Sequence, residues 1–195
     1  MMTSSSFPTF FFIIITFTIK LKFATAGVSV KDIEGNILNI TNKYIIWHNI
    51  PMAGGTGLTV PSDEVNNLLV IGSNPLPVTF TKSNREKVIL TDDILTINFT
   101  NIPMYNGSSS WIVDYKESTH VSYVAVGSAK DYPGHQIKTG TFKIEPCDEA
   151  YKLVFCSDAN NSSCKDVGIY ADSADYKHVV LGGGVMLVRF QKHNI

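Results

Sequence analysis

Residues able to do chemistry are thinly spread along this 195-residue chain. His48, His120, His135, His178 and His193 stand far apart and in no metal-ligand spacing. No G-x-S-x-G nucleophile elbow occurs. Asp92-Asp93 is a carboxylate pair at the start of an apolar alternating run, and we assign it turn duty rather than acid–base work. Gly182-Gly183-Gly184 lacks the following Lys-Ser/Thr and the strand-to-helix context of a phosphate loop, and reads as a hairpin turn. These patterns point away from an enzyme and call for neither cofactor nor metal. One cationic run remains: Thr81-Lys82-Ser83-Asn84-Arg85-Glu86-Lys87-Val88, with the composition of a solvated loop.

Cysteine and asparagine chemistry suggest a compartment. Phe10 to Thr18 is an apolar run too short to cross a bilayer, followed by Ala24-Thr25-Ala26, an A-x-A cleavage pattern. Residues 1–26 therefore read as a signal peptide and residues 27–195 as the folded domain. The basic residues Lys20 and Lys22 follow the apolar run instead of preceding it, which is off pattern. N-x-[ST] sequons at Asn39, Asn98, Asn106, Asn160 and Asn161 agree with a secretory route and are candidate glycosylation sites. Asn98 lies in a strand-like run, whereas Asn106, Asn160 and Asn161 lie in turn-rich stretches. An oxidising compartment lets Cys156 and Cys164 pair across the polar segment 157–163, stapling a hairpin for about 2–3 kcal/mol. Cys147 is left over and reads as an inert thiol. No later run is long and apolar enough for a membrane helix. The expected product is soluble and extracellular, or vacuolar.

Short strands must position these residues. With 16 Lys+Arg against 17 Asp+Glu, the net charge of −1 offers no basic field for nucleic acid. Apolar or alternating runs are punctuated by Gly, Pro, Asn and Asp, and nothing sustains helical periodicity. The candidate strands are 44–47, 68–71, 78–80, 87–90, 95–99, 111–115, 122–126, 141–144, 151–156, 168–170, 178–181 and 186–190. About a dozen such strands predict an all-β sandwich or closed barrel. Leu69-Val70, Ile112-Val113 and Leu153-Val154 recur, as do Phe99, Phe142 and Phe190, each set about forty to fifty residues apart, which suits three comparable units. That pattern favours a β-trefoil with pseudo-threefold symmetry. Phe99, Trp111, Phe155 and Phe190 are read as core.

Taken in order, the segments resemble the plant Kunitz-type (soybean trypsin inhibitor, miraculin-like) protease-inhibitor family. Val30-Lys31-Asp32-Ile33-Glu34-Gly35-Asn36-Ile37-Leu38 is similar to the family's V-x-D-x-x-G-x-x-L opening. Tyr44-Ile45-Ile46 and Ala53-Gly54-Gly55-Thr56-Gly57-Leu58 follow, as in the family. Pro77-Val78-Thr79-Phe80 and Leu95-Thr96-Ile97-Asn98-Phe99 resemble the strands that bracket its inhibitory loop. Tyr151 to Cys156 with Cys164 to Ile169 is the most specific match. The resemblance implies a β-trefoil of about twelve short strands and departs in two places. The family's first disulfide would fall near Asn66 and near Met104 or Tyr105, where no cysteine stands. Its loop-bracing Asn falls at Ile40, beside Asn39.

By that resemblance, Lys82, Ser83, Asn84, Arg85, Glu86 and Lys87 form an inhibitory loop presented to a serine protease of trypsin-like preference. Arg85 is the expected anchor, with scission at Arg85-Glu86, and Lys82 and Lys87 are competing anchors. The protein is expected to act as a monomer. The alternative is a non-inhibitory storage or binding protein, or an inhibitor of another hydrolase class.

Overall fold

The computed structural model describes residues 27–48, 55–61, 67–102, 106–157, 163–173 and 176–194. The expected signal peptide and the sequons at Asn160 and Asn161 lie outside these residues. Dense turn residues between β-branched and aromatic runs leave room only for short strands. Unit one comprises β1 (Tyr44–His48), β2 (Thr56–Thr59), β3 (Val70–Gly72) and β4 (Val78–Lys82). Unit two runs through β5 (Leu95–Phe99), β6 (Trp111–Lys116), β7 (Val121–Val126), β8 (Gln136–Lys138) and β9 (Thr141–Cys147). Unit three comprises β10 (Ala150–Cys156), β11 (Cys164–Ala171), β12 (Lys177–Leu181), β13 (Gly184–Val185) and β14 (Leu187–Lys192). The expected strand at 87–90 is absent as a continuous element. Thr56–Thr59, Gln136–Lys138 and Gly184–Val185 are strands the sequence reading did not include.

Antiparallel pairings run β1–β4, β4–β5, β5–β9, β9–β10, β10–β14 and back to β1, so six strands close a ring without an exposed edge. The hairpins β2–β3, β6–β7 and β11–β12 join one another because β12 pairs with both β3 and β7. Six ring strands and three joined hairpins define a β-trefoil, in agreement with the sequence expectation.

One apolar core fills the ring. Its aromatics meet in two chains: Tyr44, Phe80, Phe190 and Tyr151, and Phe99, Trp111, Phe142 and Phe155, with successive ring centroids 5.2–6.1 Å apart. The internal repeat read from the sequence is corrected in detail. Phe142 and Phe190 sit in the closing strands of units two and three, but their counterpart in unit one is Phe80 in β4. Phe99 opens unit two instead. The spacing misled because unit two carries an insertion, the 3-10 turn Ala129–Asp131 and β8, that stretches the interval from Phe80.

Candidate functional site

Residues 83–94 connect unit one to unit two. Ser83, Asn84, Arg85, Glu86 and Lys87 are all exposed. Arg85 makes no ion pair among the described residues. The two limbs of this loop are secured by different parts of the chain. The outgoing limb is β4, paired with β5 from Val78–Phe99 to Lys82–Leu95. The returning limb lies against the amino-terminal segment. Ile40 N–H donates to the Lys87 carbonyl at 2.9 Å, Ile89 N–H to the Leu38 carbonyl at 3.0 Å, and Val30 N–H to the Ile89 carbonyl at 3.0 Å. Buried Ile89 thus bonds to both arms of a narrow bend at residues 30–38. Contact passes from one arm to the other, which is why 87–90 forms isolated bridges in place of a strand.

Lys82 corrects the sequence reading most sharply. Val78, Phe80 and Lys82 share one face of β4 by strand alternation, so the third points inward with the other two. Its side chain is only 1% exposed and donates to Asp93 Oδ2 at 2.6 Å and to the Val88 carbonyl. Asp93, 8% exposed, also accepts from Leu90 N–H at 2.8 Å through Oδ2 and from Asn84 Nδ2 at 3.4 Å through Oδ1. Lys82 is therefore not available as a competing anchor. Asp93 has the expected turn duty and a further one, since a single carboxylate ties Lys82 and Asn84 on one limb to Leu90 on the other. Lys82 turns inward because β4 continues two residues beyond the expected strand end at Phe80, and nothing local marks Asp93 as its partner.

Asn39 does not brace the loop with its side chain. Its Oδ1 accepts from Thr41 N–H at 3.0 Å and Thr41 Oγ1 at 2.8 Å, a local turn. Only its backbone meets the loop, in a bridge to Val88. Asn98 is half-buried in β5 and accepts from Ser110 Oγ at 2.6 Å, whereas Asn106 is exposed. Cys156 and Cys164 form the expected disulfide across the β10–β11 hairpin, and Cys147 is a half-buried free thiol. The five histidines gather into no metal cluster among the described residues. His135 places its Nδ1 3.0 Å from buried Asp114.

Fold and site together define a β-trefoil that displays one braced cationic loop. The chain matches the legume Kunitz family model, described as trypsin and protease inhibitor, over residues 30–192. It is 31% identical over 183 residues to Kunitz-type trypsin inhibitor-like 1 protein of Pisum sativum, an alignment covering 88% of this chain and 83% of that one. It is also 31% identical over 108 residues to a subtilisin inhibitor of Canavalia lineata, which covers 54% of this chain and 56% of that inhibitor. The solved complex of porcine pancreatic trypsin with soybean trypsin inhibitor gives a TM-score of 0.70 at 26% identity, spanning 86% of this chain and 100% of the other. This chain belongs to the plant Kunitz-type protease-inhibitor family.

Proposed function

We propose that the chain is a secreted, monomeric inhibitor of trypsin-like serine proteases, with Arg85 as anchor and Arg85-Glu86 as the bond presented for cleavage. The observation that carries this reading is the exposed Arg85 lying between two limbs pinned to the barrel. A long cation suits a protease pocket floored by a carboxylate. Lys82 is engaged inside, and the Lys87 carbonyl is already bonded to Ile40.

A loop held in one shape has lost its conformational entropy before it binds, so less of the contact energy is spent on ordering it. When the protease serine attacks, the Arg85 carbonyl forms an ester to the serine oxygen. The Arg85–Glu86 amide breaks, and the serine proton passes through the enzyme's histidine to the Glu86 amine. With both limbs fixed, that amine stays beside the ester. It re-forms the amide by expelling the serine, which recovers its proton. Glu86 places a negative charge next to the bond and weakens rather than strengthens the fit. Of the described sequons, exposed Asn106 is the acceptor we assign to a glycan.

The test is titration of trypsin, chymotrypsin, subtilisin and papain with the purified mature protein, followed by mass spectrometry of any cut form. Stoichiometric inhibition of trypsin, lost in Arg85→Ala and kept in Lys87→Ala, is the expected result. A wild-type protein inert towards the whole panel refutes the proposal. Inhibition unchanged by Arg85→Ala refutes the choice of anchor.

A further inference from the structure

We propose that Lys82 and Asp93 are the positioning residues of the loop. On this proposal their buried ion pair, rather than a side chain from the amino-terminal segment, keeps residues 83–88 in one conformation. This rests on the inhibitory reading for its functional consequence, though not for the loop geometry itself.

The backbone of 29–40 grips only the returning limb, and β5 grips only the outgoing one. Lys82 and Asp93 span the gap between them. The ammonium holds the outgoing strand end and the Val88 carbonyl at once, while the carboxylate holds Lys82, Asn84 and the Leu90 amide. A charge-assisted bond is shorter and stronger than a neutral one, and burial keeps water and salt from competing with it. Ser83 to Glu86 make no backbone hydrogen bond outside the strand ladder among the described residues, so their shape depends on how firmly the two limb ends are set. After scission between Arg85 and Glu86, each new end would still hang from the same carboxylate. The clamp thereby decides whether a protease meets an inhibitor or a substrate.

The experiment compares wild type, Lys82→Met, Asp93→Asn and, as a control, Lys152→Met, whose ion pairs to Glu145 and Asp166 lie elsewhere on the barrel surface. Backbone 15N order parameters of residues 84–88 are measured without protease, and the rate of cleavage at Arg85-Glu86 is then followed with trypsin. We expect order parameters of about 0.85 in wild type and control and below about 0.6 in both clamp variants. Cleavage of the clamp variants should run at least about tenfold faster, since tenfold corresponds to a barrier change well within what one buried charged contact can supply. Should a single variant unfold because one charge is left buried alone, Lys82→Met/Asp93→Asn removes both charges and is read the same way. A loop already mobile in wild type, or one equally rigid in folded clamp variants, overturns the proposal. If the order parameters fall as expected but wild type inhibits no protease, the clamp stands as a loop anchor and the inhibitory reading alone fails.

Discussion

Replacing both Cys156 and Cys164 with serine removes the cross-link between β10 and β11 while leaving the strands' own pairing in place. The bond joins residues eight apart, opposite one another at the hairpin end, beside a backbone bond from Ser157 N–H to the Ser163 carbonyl. In the chain-entropy account, closing so short a loop restricts the unfolded chain by about 2.5 kcal/mol at room temperature. For a domain of this size, each kcal/mol moves the melting temperature by about 2–4 °C, so the double serine variant should melt about 5–10 °C lower. Differential scanning calorimetry of the two proteins in parallel provides the measurement. Changing both cysteines matters, because a single change would leave a thiol free to pair with Cys147. The proposed inhibitory loop lies on the β4–β5 connection, so on that reading any trypsin inhibition, measured well below either transition, should persist. A melting temperature unchanged within about 1 °C would show that the hairpin is equally closed in the unfolded chain without the bond.

Two further outcomes follow from packing and charge. Gly168→Ala would place its Cβ 2.2 Å from the Gly182 carbonyl oxygen and 2.3 Å from that of Gly184, so we expect a loss of about 1–3 kcal/mol in urea denaturation. A cost under about 0.3 kcal/mol would contradict this close backbone approach. The hydrogen bond to Asp166 raises the Lys152 pKa above 10.5; partial burial opposes this, and Glu145 adds to the rise. Its stabilisation is therefore complete below the unfolded pKa and is lost as pH climbs through the raised folded value. Lys152→Met should cost no more than about 1 kcal/mol at neutral pH, and the gap to wild type should close as pH climbs past the raised lysine value. A gap that persisted there would assign the effect to packing of the lysine stem.

The all-β class and most strands were legible because β-branched and aromatic runs with turn punctuation carry information at short range. Thr56–Thr59 carries little strand signal because Gly57 dilutes it. That glycine is in fact needed, since a Cβ there would meet the Ile46 carbonyl oxygen at 2.7 Å. The threefold repeat shows in the recurring phenylalanines but out of register, because an insertion in unit two separates Phe142 from its counterpart Phe80. The disulfide could be read from compartment and spacing alone. Lys82 shows where such reading stops. Composition marks a lysine in a polar run as solvent-facing, and only the strand phase set by Val78 and Phe80 turns it inward. Its partner, eleven residues on, is defined by the return path of the loop, which no local pattern encodes.

The ring closes through its last strand. β14 pairs with β1 from Tyr44–Lys192 to His48–Val188, and the Phe190 carbonyl accepts from Ile33 N–H at 2.8 Å. Ile33 belongs to the same amino-terminal stretch that backs the loop's returning limb. During synthesis that stretch can meet residues 87–91 as soon as they emerge, whereas its bond to Phe190 must wait for the last strand. The contacts that set the two limbs of the cationic loop all lie within the first hundred residues, and the barrel behind them closes only later. Closing the barrel is thus a long-range event, in which the last strand docks against residues 140 or more positions earlier.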